Sequence, residues 1–261
     1  MFRGVVNGVP LVLLMLGVLV LGAGVVLLAV RLVRRFVPAT RDGFDAEVSS
    51  QMLGVVAAMF GLLLAFVIVI AYQNFGDTEG NVIQEADDLA AIARDSEAFG
   101  EPDAARVKGA IGTYVRIVVD EEWPRMRDGH DSARAWDAMN GVFAALQSVE
   151  PRSPAAVAFY EDSVRHLNTA LDARRDRLAD AGGGFPWVLG VLLGVGALII
   201  LGYAVLVGST SFWFHAVGAG TLAVVIGLSL VVLLSLNYPF SGDLAIDSKP
   251  FRTGVLAGLS R

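Results

Sequence analysis

Four stretches of the chain consist almost entirely of apolar residues for twenty or more positions. They run from about residue 9 to 30, 52 to 72, 185 to 207 and 213 to 236, and they contain no Asp, Glu, Lys or Arg. About 20 apolar residues in a helix cross the roughly 30 Å hydrocarbon layer of a bilayer. The pattern therefore predicts four transmembrane helices, with the lipid bilayer as their surroundings.

The segment 73–184, between the second and third apolar stretches, has a different composition. It holds 21 acidic and 12 basic residues, so we expect it to lie in water. Its apolar residues recur at spacings of three and four, which indicates helices with one buried face. One helix is expected to start near Ser132, and another at Ser153-Pro154, where a capping residue precedes a proline at the first helical position. Pro124 and Pro151 are expected to end the helices that precede them.

Together these patterns predict an all-α membrane protein. Four transmembrane helices carry a helical extramembrane bundle inserted between spans two and three. The expected divisions are an N-terminal membrane hairpin at 1–72, the extramembrane domain at 73–184, a C-terminal membrane hairpin at 185–236, and a tail at 237–261 packed near the membrane. Because two spans separate the insert from either end of the chain, the insert and both termini are expected on the same side.

Composition and motifs argue against several functions. The chain has no cysteine, which removes thiolate metal sites and cysteine nucleophiles. Its net charge of −6 disfavours a nucleic-acid partner. No phosphate-binding loop, serine-hydrolase elbow or zinc-protease motif occurs in the sequence. We therefore expect no enzymatic activity, no cofactor and no metal centre.

The predicted spans also lack the charged residues that proton-coupled transporters and pumps usually carry near the midplane. A passive pore remains open, because an apolar constriction can gate by dewetting. Leu62, Phe66 and Ile70 recur at i, i+4 and i+8 of the second span. They would line such a constriction if several subunits turned this face toward a common axis. The alternative is that the face contacts lipid or packs within the protein.

Two charged motifs stand out in the insert. Asp120-Glu121-Glu122 places three carboxylates in a row, and since consecutive helical positions diverge, we interpret them as a solvated helix end. Arg174, Arg175 and Arg177 alternate with aspartates on the last predicted helix of the insert. One interpretation is a set of local ion pairs on an exposed face. The other is an attraction for anionic lipid headgroups or other anions.

Aromatic residues and prolines suggest a packed structural motif. Trp123-Pro124 is interpreted as a packed helix terminus and not as a ligand platform. Pro239 should end the fourth span, and the turn sequence that follows should fold residues 237–252 back as an ordered segment. We expect Phe240 and Phe251 to be its buried anchors, either against the insert or against a neighbouring subunit.

Several short motifs follow one another along the chain in a characteristic order. They are residues 60–66 (FGLLLAF), 74–75 (NF), 85–87 (EAD), 121–124 (EEWP), 167–168 (LN), 172–175 (DARR), 239–243 (PFSGD) and 249–251 (KPF). In this order and at this spacing they resemble the bacterial bestrophin-like domain proteins, a family of membrane proteins of unassigned function. The resemblance covers the chain from about residue 31 to 252.

This resemblance implies a distant likeness to bestrophins, which are oligomeric anion or cation channels. In bestrophins four spans flank a helical cytosolic domain inserted between spans two and three. The resemblance thus implies a homo-oligomer that passes inorganic ions, although no bestrophin pore motif can be carried onto a numbered residue here. A non-conducting membrane scaffold whose insert binds a protein partner is the alternative, because the spans hold no polar filter.

The basic residues beside the predicted spans give opposing indications of orientation. Four arginines between the first two spans favour a cytoplasmic position for residues 31–51 under the positive-inside rule. The opposite side carries seven basic residues near span ends: Arg3, Arg165, Arg174, Arg175, Arg177, Lys249 and Arg252. The bestrophin resemblance also implies a cytoplasmic insert, so we expect the insert and both termini in the cytoplasm.

Overall fold

The computed structural model describes residues 2–36, 46–183, 186–207 and 211–259. Within these ranges every regular element is a helix and no strand occurs, which confirms the predicted all-α fold. The α-helices are α1 (Phe2–Gly8), α2 (Leu11–Phe36), α3 (Ala46–Asp95), α4 (Asp103–Ile117), α5 (Trp123–Met126), α6 (Ala133–Gln147), α7 (Pro154–Ala181), α8 (Trp187–Leu206), α9 (Phe212–Leu236) and α10 (Gly254–Leu259). A π-helical turn covers Val118–Glu122, and 3₁₀ turns cover Ser96–Phe99 and Lys249–Arg252.

Four of these helices, α2, α3, α8 and α9, are long and apolar enough to cross a membrane. The predicted windows at 9–30, 52–72, 185–207 and 213–236 fall on them in that order. The second window and the first helix expected in the insert are one continuous element, α3, which has 50 residues. The predicted boundary at Gly184 and Phe185 lies outside the described residues.

The chain divides into two compact units. The first unit comprises residues 1–73 and 185–237, and the second comprises 74–184 and 238–261. Each unit therefore joins two stretches of sequence, and the tail after α9 belongs to the second unit. Each unit also has its own apolar core.

The first unit is held together by apolar residues of its four long helices. One cluster joins Phe60 and Leu64 of α3 to Leu193 of α8 and Ile226 of α9. A second joins α2 to α8 and α9 through Val26, Val30, Ala204, Ala219 and Ala223. A small residue permits the close approach of α3 and α8. Gly196 of α8 has no side chain, and a Cβ at this position would lie only 2.7 Å from the Phe60 ring of α3. Close packing of this kind is how helices associate in lipid.

The second unit packs the distal half of α3 against α4, α6, α7 and the tail. Its helices α6 and α7 start where predicted, and each start carries a side-chain cap. The Ser132 hydroxyl accepts from the Ala135 N–H at the start of α6, and the Ser153 hydroxyl accepts from the Ala156 N–H at the start of α7. In each case the side chain accepts from a backbone N–H of the first turn, where the regular helical hydrogen bonds have not yet begun.

The expected helix end at Pro124 is wrong, because a helical path continues through it to Met126. The N–H of Trp123 bonds to the carbonyl of Val118, five residues earlier, which makes this turn a π-helix. Pro124 then lies in the first turn of α5, where its missing N–H removes no bond of the new helix. Such π-helical turns occur frequently at functional sites, and Glu122, the last residue of this one, is fully buried.

Candidate functional site

One candidate site is the outward face of α3 in the first unit. Leu62 and Phe66 are each 60% exposed and Ile70 is 47% exposed. We call these three residues the α3 apolar stripe. Residues of the opposite face, among them Leu64 and Val67, are buried against α8 and α9. The single chain thus uses one face of α3 for its own core and leaves the stripe available to lipid, to another copy of the chain or to a pore axis.

The second candidate is a group of buried polar side chains in the second unit. Glu85 comes from α3, Tyr114 from α4, Glu122 from the π-helical turn, and Arg174 and Arg177 from α7. All five residues are fully buried. We call them the buried charge cluster. Buried ions require partners in good geometry, because water no longer solvates them.

Arg174 forms a two-pronged ion pair with Glu122. Its Nη1 and Nη2 donate to Glu122 Oε2 and Oε1, each at 2.6 Å. Nη1 also donates to the Tyr114 hydroxyl at 2.9 Å, and that hydroxyl donates onward to Glu85. This planar, bidentate arrangement is specific to arginine, since a lysine ammonium cannot donate along two parallel lines.

Arg177 links the two carboxylates. Its Nε donates to Glu85 Oε2 at 2.7 Å and its Nη2 donates to Glu85 Oε1 at 3.1 Å. Nη2 also lies 3.1 Å from Glu122 Oε2. The two guanidinium groups and two carboxylates therefore balance in charge, and they join α3, the π-helical turn and α7.

Aromatic rings cover the guanidinium groups of the cluster. The Arg174 guanidinium carbon lies 4.6 Å from the centre of the Trp136 ring, and that of Arg177 lies 5.3 Å from the Trp123 ring. Cations over indole faces are stabilised further when water is excluded. The rings thus supply both attraction and shielding on the sides that carry no carboxylate.

The electrostatics of the cluster keep its arginines charged and its tyrosine neutral. Burial acts to lower the pKa of Arg177, but Glu85 and its other neighbours more than offset this, so the pKa is raised. The pKa of Arg174 is also raised, with Tyr114 and Glu122 outweighing burial. Burial and the adjacent Glu85 raise the pKa of Tyr114 well above its usual value. The two arginines are therefore held charged and the tyrosine neutral, and this arrangement suits positioning of helices.

The predicted aromatic motif of the tail lies beside this cluster. The Trp123 ring centre is 5.6 Å from that of Phe240 and 5.7 Å from that of Phe251, both edge to face. Phe240 and Phe251 are buried, as is Pro239, whereas Pro124 is exposed. The Trp123 indole N–H donates to the Ile246 carbonyl at 3.2 Å, so Trp123 contacts the tail through its ring and through its polar edge.

The family model of the Bestrophin-like domain matches residues 20–251 of the chain. The chain belongs to the bestrophin-like family. No curated protein matches it. Among solved structures, the chain is similar to the crystal structure of a bacterial bestrophin homolog from Klebsiella pneumoniae that carries a single substitution. The identity is 12%, the match covers 94% of this chain and 96% of the other, and the TM-score is 0.65. This likeness shows a shared fold.

In this bestrophin-like protein several charged residues lie elsewhere than the sequence pattern predicts. The pattern predicts Glu122 at a solvated helix end and Arg174 and Arg177 on an exposed face, but all three are fully buried. Only Arg175 forms the expected local pair, with Asp172 at 3.4 Å on an exposed face. Arg174 lies seven residues after the buried Leu167, and this spacing is the sequence signal that could have indicated its inward position.

The bestrophin-like protein thus has two candidate sites of different kinds. The α3 apolar stripe is exposed in the single chain and can contact lipid, another copy of the chain or a pore axis. The buried charge cluster is closed to solvent and organises the second unit. Trp123, Phe240 and Phe251 belong with the cluster, because the Arg177 guanidinium also lies 5.9 Å from the Phe251 ring.

Proposed function

We propose that this bestrophin-like protein assembles into a homo-oligomeric pore for inorganic ions in a cell membrane, with the α3 apolar stripe as its constriction. The observation that carries the proposal is the outward exposure of Leu62, Phe66 and Ile70 on a helix whose opposite face is used for the core. An unpaired apolar face suits an interface or pore axis shared by several copies. Membership of the bestrophin-like family supports the same function.

The proposed arrangement has four membrane spans, provided by α2, the apolar part of α3, α8 and α9. The proposed divisions are membrane hairpins at 1–72 and 185–236, a helical domain at 73–184 inserted between spans two and three, and a tail at 237–261. The insert and both termini lie in the cytoplasm. This protein is proposed to have no enzymatic activity, cofactor or nucleic-acid partner.

The proposed pore works by wetting and dewetting of its constriction. Rings of leucine, phenylalanine and isoleucine in a narrow pore disfavour water, and ions cannot pass where water is excluded. A small outward movement of the α3 apolar stripe would widen the ring, admit water and allow conduction. No charged side chain is required for such a gate, which agrees with the absence of Asp, Glu, Lys and Arg from residues 52–72.

Ion flux from liposomes tests this function. The purified chain should release ions, and Phe66→Ala should increase the flux several-fold, because a smaller side chain widens the constriction and lowers the barrier to wetting. Phe214→Ala is the matched control: Phe214 is 79% exposed and lies on a different helix, α9, and its truncation should leave the flux unchanged.

Two outcomes would contradict the proposal, the first for the pore itself and the second for its constriction. A monomeric, non-conducting protein would favour a membrane scaffold that binds a protein partner. Equal flux for the parent, Phe66→Ala and Phe214→Ala proteins would show that ions pass elsewhere, and the assignment of the α3 apolar stripe would then be wrong.

A further inference from the structure

A separate group of ionisable side chains lies where the end of α3 meets α7. Asp95 is the last residue of α3, and Asp162 and His166 stand four residues apart on α7. One oxygen of each aspartate and one ring nitrogen of His166 all lie within 4.8 Å of one another. All three residues are partly accessible to solvent, so an ion could reach them.

The spacing of these atoms suits a shared metal ion. Zinc binds imidazole nitrogen and carboxylate oxygen at about 2.0–2.2 Å, so two ligands of one tetrahedral ion lie about 3.3–3.6 Å apart. Side-chain rotations that shorten the present separations, all within 4.8 Å, would therefore close the group around an ion. Asp162 and His166 also have the i, i+4 spacing that places two metal ligands on the same face of a helix.

His166 is held in place by a buried carboxylate that is not itself part of the group. His166 Nδ1 lies 2.7 Å from Asp88 Oδ1, and the Asp88 side chain is only 4% exposed. Gln84 Nε2 fixes the other Asp88 oxygen at 3.0 Å. With Nδ1 engaged, Nε2 is the nitrogen available to an ion. A carboxylate behind a histidine is the usual outer-shell support of a metal ligand.

The polar surroundings of the group include one exposed cation and one hydroxyl. Arg165 Nη2 lies 2.5 Å from Asp162 Oδ1, and Arg165 is 73% exposed. An aspartate has a second oxygen, so this exposed pair does not prevent coordination by Asp162. The Ser163 hydroxyl donates to Asp95 Oδ2 at 3.4 Å. The carboxylates of Asp95 and Asp162 have ligand oxygens within 4.8 Å of each other, and a cation between the two aspartates would offset the repulsion of their like charges.

We propose that Asp95, Asp162 and His166 bind a divalent first-row transition metal ion, which fastens the end of α3 to α7. One imidazole and two carboxylates suit Zn²⁺ and leave a fourth position for water. The Irving–Williams order places Zn²⁺ above Mn²⁺ at such a site, whereas Ca²⁺ prefers six to eight oxygen ligands. No local motif in the sequence indicates this site, because Asp95 lies 67 residues before Asp162.

Zinc titration of the full-length protein in detergent tests the proposal, with a chromophoric chelator as competitor. The parent should bind one Zn²⁺ per chain and unfold at a higher temperature when zinc is present, because a ligand that binds only the native state stabilises it. Asp162→Asn and His166→Gln should abolish the binding and the zinc-dependent rise in melting temperature. Asp88→Asn should bind about 10–100-fold more weakly, as expected for an outer-shell partner.

His130→Gln is the matched control, since His130 is exposed and lies outside the group. It should bind zinc as the parent does. The proposal is overturned if the parent binds no zinc against the chelator. It is also overturned if the His166→Gln and Asp162→Asn proteins, shown to be folded by circular dichroism, retain parental affinity.

Discussion

Arg177→Met is expected to lower the free energy of unfolding of the protein by about 3–5 kcal/mol. The substitution keeps an unbranched chain of similar length but removes the guanidinium group that bonds to both Glu85 and Glu122. At least one carboxylate is then left buried without its counterion, and this uncompensated charge is the main source of the loss. Urea titration of the purified protein, followed by tryptophan fluorescence, measures the change directly.

Arg175→Met is the matched control for this experiment. Arg175 is two residues away on the same helix, its side chain is 60% exposed, and its pair with Asp172 is open to water. Its replacement should change the free energy of unfolding by no more than about 0.5 kcal/mol. Similar losses for the two variants would mean that Arg177 contributes nothing beyond an ordinary surface arginine.

The double variant Arg177→Met, Glu85→Gln separates two causes of the lost stability: the Glu85 carboxylate left buried without its counterion, and the altered packing of the Arg177 side chain. If the stranded Glu85 carboxylate dominates, the double variant should be more stable than Arg177→Met alone, because the uncompensated charge is gone. Additive losses in the double-mutant cycle would instead show that Glu85 and Arg177 do not act as a pair.

Phe251→Ala is expected to lower the free energy of unfolding by about 3–5 kcal/mol. The Phe251 ring is fully buried and contacts both the Trp123 ring and the Arg177 guanidinium. Its truncation leaves a cavity beside a charged group, and it weakens the attachment of residues 238–259 to the rest of the second unit. The variant should therefore also be cut by proteases between Asp243 and Arg252 faster than the parent.

Phe159→Ala serves as the comparison for Phe251→Ala. Phe159 lies on α7 in the same unit but is 45% exposed, so its truncation leaves no closed cavity. We expect a loss of about 1 kcal/mol or less and unchanged proteolysis of the tail. Equal stability of the Phe251→Ala protein and the parent would show that the tail is not anchored by this ring.

The helices of this protein were predictable because their signals are local. Runs of apolar residues mark the four helices that are apolar enough to cross a membrane. Ser132 and Ser153 mark the starts of α6 and α7, where each hydroxyl accepts a hydrogen bond from the N–H three residues later. The exception is Pro124. Proline normally ends a helix. Here a π-helical turn allows the helical path to continue through Pro124, and that turn depends on the packing around Glu122, which no local sequence pattern indicates.

The pairing within the buried charge cluster was not predictable for the same physical reason. The seven-residue spacing from Leu167 can indicate that Arg174 is buried and the adjacent Arg175 is not, but it does not indicate their partners. Those partners are far away in sequence: Glu122 lies 52 residues before Arg174, and Glu85 lies 92 residues before Arg177. The α3 apolar stripe was visible as a pattern, but its role depends on neighbouring molecules, so pore lining stays a prediction.

The order in which the ribosome makes this chain has a consequence for the second unit. Glu85 and Glu122 are synthesised before either of the arginines that neutralise them, and Phe240 and Phe251 follow only after α8 and α9 are complete. Contacts between segments so distant in sequence form late and slowly. A nascent chain halted before residue 238 therefore displays an unfinished core with Trp123 uncovered. Such a chain is expected to be a substrate for chaperones and proteases, because residues 238–259 are needed to complete the core of the second unit.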